Sequence, residues 1–310
     1  MREAVCALGV FDGVHLGHRK IISRAKKHAE KIRGKCVIVS FDRHPQAVVG
    51  RKAPEILTSS PRKAYLLSKS GADKLIFLPF NRRFASQTPE NFVRKYLAGK
   101  LRLRRIVVGT DFKFGRNRRG NVNLLKKLGK KYGFEVEAVP TLKSGRRKIN
   151  STLIRKTIRM GDVSRAAELL GRFHSVAGRV VKGKGLGAKI GFPTANLGKT
   201  AELLPGPGVY AVLVKSGRRV YRGAANVGIN TETKHPLAEV FIFGFNRNIY
   251  GESAEIHFIR KIRAEKKFSG VKELSHQIRL DVARVKKYFT IRQKCDIVSA
   301  REFVKTDCRR

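Results

Sequence analysis

His15 and His18 flank Gly17 in the run Gly9-Val10-Phe11-Asp12-Gly13-Val14-His15-Leu16-Gly17-His18. Paired imidazoles among glycines suit polyphosphate chemistry: the glycines let backbone approach the phosphates, and the imidazoles neutralise charge that grows on a leaving pyrophosphate. The flanking sequence supports this use. Ala4 to Leu8 reads as a buried strand, and Leu16 to Arg33 has helical spacing, with Ile21, Ile22, Ala25 and Ala29 on one face. The turn therefore opens a helix, where unpaired amides and the positive end of the helix dipole favour phosphate. Gly9, Phe11, Gly13 and Gly17 are the nucleotide-binding candidates beside His15 and His18.

Other runs carry compatible groups. A strand ending at Gly109 places Asp111 at its carboxyl end beside Phe112 and Phe114. Asn150-Ser151-Thr152-Leu153-Ile154-Arg155 puts hydroxyls at a helix start and an arginine one turn later, suited to capping and to gripping phosphate. Ser40 to Pro45 ends another strand, with Asp42 and His44 equally suited to a structural loop or to a ligand. In the second half, Gly183, Gly185 and Gly187 alternate with lysines in a loop whose amides and ammonium groups can fold over phosphates. Thr194 and Asn196 follow, two oxygen donors suited to a hard cation such as Mg²⁺. Glu239 stands on a strand pattern in a chain short of carboxylates.

Two kinds of scaffold must position these groups. From residue 4 to about 139 strands alternate with helices, which predicts a parallel sheet covered by helices and binding ligands beyond its carboxyl ends. Within that stretch a helix is expected over Pro89 to Ala98 and the strand before Asp111 over Ile106 to Gly109. Two short helices, Thr152 to Met160 and Val163 to Leu170, follow. Then come five β-rich segments, 173–181, 209–214, 220–227, 239–245 and 254–262, with no helix between them, which predicts an antiparallel barrel or sandwich. One amphipathic helix, Val271 to Tyr288, closes it. The expected organisation is 1–171, 172–289 and a basic tail, 290–310.

Composition narrows the class. No apolar run reaches the roughly 18–20 residues a bilayer span needs, and the short apolar start runs directly into the phosphate turn instead of forming a signal peptide, so a soluble, cytoplasmic protein is expected. Cys6, Cys36, Cys295 and Cys308 show no metal-ligand spacing. The net charge of +45 attracts polyanions, but the basic residues are spread along the chain without a recognition motif. Any nucleic-acid contact is expected to be non-specific.

The ordered segments Gly9 to His18, Ser40 to Pro45, Val108 to Gly115, Asn150 to Arg155, Gly185 to Leu197, Pro207 to Ala211, Glu239 to Gly251 and Phe268 to Asp281 resemble the bacterial bifunctional riboflavin kinase and FAD synthetase family. The resemblance covers about residues 4 to 289. It implies a Rossmann-like α/β nucleotidyltransferase domain that adenylylates FMN, then a six-stranded antiparallel β-barrel riboflavin kinase domain with a C-terminal helix. It assigns His15, His18, Ser151, Thr152 and Arg155 to the ATP polyphosphate, Asp111 to the nucleotide and flavin segment, Thr194 and Asn196 to Mg²⁺-ATP, and Glu239 to the kinase base. The substrates it implies are ATP, riboflavin and FMN.

The chain departs from the family pattern at Thr231 to Thr233, at Gly244 and at Asn248-Ile249-Tyr250-Gly251 in the kinase half, and more mildly in the first half at Arg43, which replaces a usual proline. One alternative is therefore an FMN adenylyltransferase with a degenerate kinase domain. Another is a basic RNA-associated protein on the same scaffold. A class I aminoacyl-tRNA synthetase shares the His-x-Gly-His signature, but Leu66 to Ser70 lacks the leading lysine and methionine of that class's second signature.

Overall fold

The computed structural model describes residues 4–50, 53–101, 103–183, 185–229 and 235–292, which fall into two compact units divided between Leu153 and Ile154. The first holds β1 (Ala4–Leu8), α1 (Leu16–Lys31), β2 (Lys35–Phe41), α2 (Pro45–Val49), α3 (Ser60–Ser68), β3 (Lys74–Leu78), α4 (Arg82–Ala85), α5 (Pro89–Phe92), β4 (Leu103–Gly109), α6 (Val122–Tyr132), β5 (Glu135–Val139) and a small hairpin, β6 (Lys143–Ser144) and β7 (Arg147–Lys148). The five longer strands form one parallel sheet in the order β3-β2-β1-β4-β5. Strand order reverses at β1, so the crevice beyond the carboxyl ends of β1 and β4 is the expected ligand position. β1 is central and apolar, and Ile22, Ala25 and Ala29 of α1 pack into its core cluster with Val5, Ala7, Ile38 and Val107.

α7 (Ser151–Arg159) crosses the division between units. The second unit continues with α8 (Val163–Leu170), β8 (His174–Val181), α9 (Leu186–Lys189), β9 (Thr194–Leu197), β10 (Gly208–Ser216), β11 (Arg219–Ile229), β12 (Pro236–Ile242), β13 (Ser253–Arg263) and α10 (Val271–Arg292). Its strands close a six-stranded antiparallel barrel, β10-β11-β12-β9-β8-β13. Alternation along the strands sorts the side chains. Tyr210, Val212 and Val214 fill the barrel interior, whereas Ala211 and Leu213 face outward onto Val282, Val285 and Phe289 of α10. Burying each of those larger α10 side chains stabilises the docking by about 1.5–3 kcal/mol.

Several expectations change in detail. Thr194 to Leu197, read as loop, is the sixth barrel strand, paired with β8 and β12. The helix expected over Pro89 to Ala98 is α-helical only to Phe92 and continues as a π-helix over Val93–Lys100. The last helix runs past Tyr288 to Arg292, so the expected tail begins inside it; 293–310, with Cys295 and Cys308, lie outside the described residues. The compact units divide earlier than residue 171 because α8 packs on the barrel: Val163 joins its core, and the Ser164 hydroxyl donates to the Ile259 carbonyl at 3.3 Å.

Candidate functional site

In the first unit the run after β1 forms the turn that opens α1. Val14 N–H donates to the Phe11 carbonyl at 3.1 Å, and Gly13, at φ 82°, takes the left-handed position such a turn requires. Phe11 (φ 53°) and Val14 (φ 38°) share that region, which costs non-glycine residues on the order of 1–3 kcal/mol each. His15 then caps α1, its Nδ1 accepting from His18 N–H at 3.3 Å. The two imidazoles stack with centroids 3.5 Å apart, and Phe11 meets His18 edge-on. A side chain at Gly17 would press on the His15 ring, and one at Gly9 on the Phe11 ring. Two imidazoles are thus held side by side at a helix N-terminus.

Ser151 joins this turn, its hydroxyl donating to the Asp12 carbonyl at 3.0 Å. Capping of α7 falls instead to Asn150, whose Oδ1 accepts from Leu153 N–H at 2.8 Å. Thr152 is exposed and Arg155, one turn along the same helix, is buried. Asp111 is exposed at the carboxyl end of β4 and accepts from the Thr141 hydroxyl at 3.3 Å. Half-buried Phe80 and Phe112 lie beyond the ends of β3 and β4, Phe80 edge-on to Phe41 and Phe112 stacked on Phe114. His44 caps α2, its Nδ1 accepting from Gln46 N–H at 3.2 Å, and the Asp42 carboxylate accepts from Phe80 N–H at 2.8 Å. Those contacts hold the loop together.

The second unit contains a cavity of about 660 Å³ on the outer face of the barrel, between the loop around Gly183 to Phe192 and α10. Strand alternation sends Ala238 and Val240 inward and leaves Glu239 and Phe241 to line the cavity. Glu239 lies opposite Asn196 on one side and Asn226 on the other. Phe241 lies opposite Thr194, so Thr194, Asn196, Asn226 and Glu239 share one face. Burial raises the Glu239 carboxyl above the usual glutamate value. The loop closes tightly on this face: a side chain at Gly183 would collide with the Asn196 amide, and one at Gly187 with the Phe192 carbonyl. Gly185 adopts φ 72°. Arg263 fixes α10 over the cavity through three bonds to the Asp281 carboxylate, 3.0 and 2.9 Å from Nε and 2.7 Å from Nη2.

This face fits a divalent cation brought by a nucleotide. Asn196 Oδ1 is buried without a hydrogen-bond partner, and the Thr194 hydroxyl belongs to the same face. Among the described residues no group of three or more His, Cys, Asp or Glu could hold an ion alone. Two neutral oxygens plus substrate phosphates are the kind of shell a small hard cation accepts.

Comparison with known proteins gives the family of each half. A family model for FAD synthetase matches residues 1–153, and one for riboflavin kinase matches residues 170–289. A bifunctional riboflavin kinase/FMN adenylyltransferase from Buchnera aphidicola is 38% identical, covering 93% of this chain and 94% of that protein. The proteins of the same name from Bacillus subtilis and Escherichia coli are 37% and 34% identical, covering 93% and 92% of this chain and of themselves. A crystal structure from Streptococcus pneumoniae, described as a macrolide-efflux protein, superposes with a TM-score of 0.83 at 32% identity, covering 92% of this chain and 94% of that one. Among the described residues no helix is long and apolar enough to cross a membrane.

The chain belongs to the bifunctional riboflavin kinase/FMN adenylyltransferase family, and it carries both catalytic domains. It is a transferase with two active sites, and its family implies a divalent metal ion.

The expected residues thus gather at two places. His15, His18 and Ser151 meet around the turn, while Thr194, Asn196 and Glu239 meet in the cavity with Gly183, Gly185 and Gly187. Of the departures, Gly244 takes φ 65° in the turn after β12 and is not among the cavity-lining residues, and Thr231 to Thr233 lie outside the described residues. Sequence reasoning passed over Asp12 and Thr58, whose only sequence signal is a small polar side chain beside a glycine turn or a helix start.

Proposed function

We propose that the barrel unit phosphorylates riboflavin to FMN and the sheet unit adenylylates FMN to FAD, both with ATP and with Mg²⁺ as the metal. The observation that carries this reading is a half-buried carboxylate, Glu239, opposite an amide oxygen, Asn196 Oδ1, that is buried without a partner.

In the kinase reaction Glu239 takes the proton from riboflavin's terminal hydroxyl. That oxygen bonds to the γ-phosphorus of ATP as the bond to the β-phosphate oxygen breaks, and ADP leaves. Thr194 and Asn196 hold the metal-nucleotide, and the bound metal supplies charge stabilisation along the phosphates. The glycine loop around Gly183 to Gly187 encloses the nucleotide and excludes water.

Adenylylation needs no base. The second pKa of a phosphomonoester is about 6, so the FMN phosphate is already ionised near neutral pH. It attacks the α-phosphorus of ATP and pyrophosphate leaves. His15 and His18 place donors where charge accumulates on that leaving group. Gly9, Phe11, Gly13 and Gly17 shape the cradle, Ser151, Thr152 and Arg155 bind the polyphosphate, and Asp111 with the Phe80 and Phe112 rings faces adenine and flavin.

We further place the protein in the cytoplasm. The +45 charge attracts RNA only through counterion release, without base specificity. Purified protein given riboflavin, ATP and Mg²⁺ tests the proposal: FMN should appear first and FAD after it. FAD formed only from supplied FMN would instead support the degenerate-kinase alternative.

A further inference from the structure

A strained turn precedes His15, and something must hold it. Phe11, Gly13 and Val14 all have positive φ. Within the turn itself, Val14 N–H donates to the Phe11 carbonyl. Besides the Ser151 bond to the Asp12 carbonyl, a reciprocal brace comes from the segment before α3, across a separation of 45 residues. The Asp12 carboxylate accepts from Leu57 N–H at 3.0 Å and Thr58 N–H at 3.3 Å. In return the Thr58 hydroxyl oxygen accepts from Gly13 N–H at 3.2 Å. Each segment gives a side chain to the other's backbone, and Asp12 and Thr58 are 5% and 6% exposed. Lys63, buried beside them, donates to the Phe41 carbonyl at 2.7 Å, and its charge faces Asp12 and Asp42.

We propose that Asp12 and Thr58 form a positioning clamp for adenylyl transfer, fixing the turn in the one shape that aims His15 and His18 at the polyphosphate. The proposal rests on the adenylyltransferase reading of that turn. Both side chains are buried and bonded to backbone, so they act on the reaction through the turn. Their effect passes through the backbone of Gly13 and Val14, directly ahead of His15. Small displacements of a group that stabilises a transition state cost far more in turnover than in substrate binding.

The test uses full-length Thr58→Val, which keeps shape but removes the acceptor for Gly13 N–H, and Thr58→Ser, which restores it. With FMN and ATP, Thr58→Val should lose about 10- to 100-fold in kcat while KM for ATP moves less than about threefold. Thr58→Ser should recover kcat to within about threefold, and riboflavin phosphorylation should be the same in all three proteins. Hydrogen exchange supplies a readout independent of activity: in Thr58→Val, amides of residues 9–18 should exchange faster while those of β1 and β2 keep their protection. Unchanged kcat in Thr58→Val, no recovery in Thr58→Ser, or faster exchange throughout the sheet would overturn the clamp. If wild-type protein makes no FAD from FMN, the adenylyltransferase reading fails by itself, and localised exchange at 9–18 still decides whether the clamp holds the turn.

Discussion

Glu239 on β12 and Asn196 on β9 are direct register partners, so a carboxylate and a buried amide oxygen stand side by side on the outer wall of the barrel. The pairing follows from strand periodicity. With Ala238 and Val240 committed to the interior, Glu239 and Phe241 must face the cavity, and the antiparallel register brings Asn196 and Thr194 opposite them. A one-residue slip of β9 would turn both oxygens into the core.

Glu239→Gln keeps size and hydrogen bonding but removes proton acceptance. FMN formation should fall by about 10² to 10⁴ while adenylylation of supplied FMN is unchanged. Burial raises the Glu239 carboxyl, and the base must be ionised, so the acid limb of riboflavin phosphorylation should lie above the ordinary glutamate value of about 4.3. A pH profile of kcat/KM for each reaction checks this: only the kinase limb should vanish in the variant.

Asn196→Ala and Thr194→Ala each remove one oxygen from the proposed metal face. Both should raise the Mg²⁺ concentration needed for half-maximal kinase rate by about tenfold or more, because a small hard cation tolerates little loss from its shell. Titrating the metal at fixed ATP measures it. An unchanged midpoint would remove these residues from the metal site.

The parallel sheet and the glycine turn were legible because one strand, one glycine turn and one amphipathic helix are contiguous in sequence. β9 was not. Its Thr-Ala-Asn-Leu is too short to show alternation, and its partners, β8 and β12, are fixed only by barrel closure. The Asp12 and Thr58 contacts were hidden for a similar reason, since they join segments 45 residues apart through backbone amides that leave no trace in residue type. At α7 an adjacent residue misled: Ser151 looks like a cap, but Asn150 performs that role and frees Ser151 for Asp12.

His18→Ala should lower FAD formation from FMN by about 10² or more, as loss of a transition-state donor does. Riboflavin phosphorylation should persist in the same preparation. Rates of the two reactions, measured separately on the variant, check the assignment.

His174 is buried on β8 with Nε2–H donating to the Leu203 carbonyl at 2.7 Å, and burial pulls its pKa down to about 4. In the unfolded chain a histidine titrates near 6.5. Between those values the unfolded state binds more protons, so stability is full above about pH 6.5 and is lost as pH falls toward 4, by up to about 3 kcal/mol. His174→Gln should flatten that part of the Tm-against-pH curve. A variant whose curve keeps the wild-type slope would contradict it.

Two separate sites in one chain would complement each other between molecules, and mixing two variants reveals it. Neither Glu239→Gln nor His18→Ala alone should convert riboflavin and ATP to FAD at an appreciable rate. Together in one vessel they should, because FMN made by the His18→Ala protein can be adenylylated by the Glu239→Gln protein. Failure of the mixture while each variant keeps its own half-reaction would place release of FMN in conflict with independent sites. FAD production by either variant alone at the wild-type rate would contradict the assignment outright.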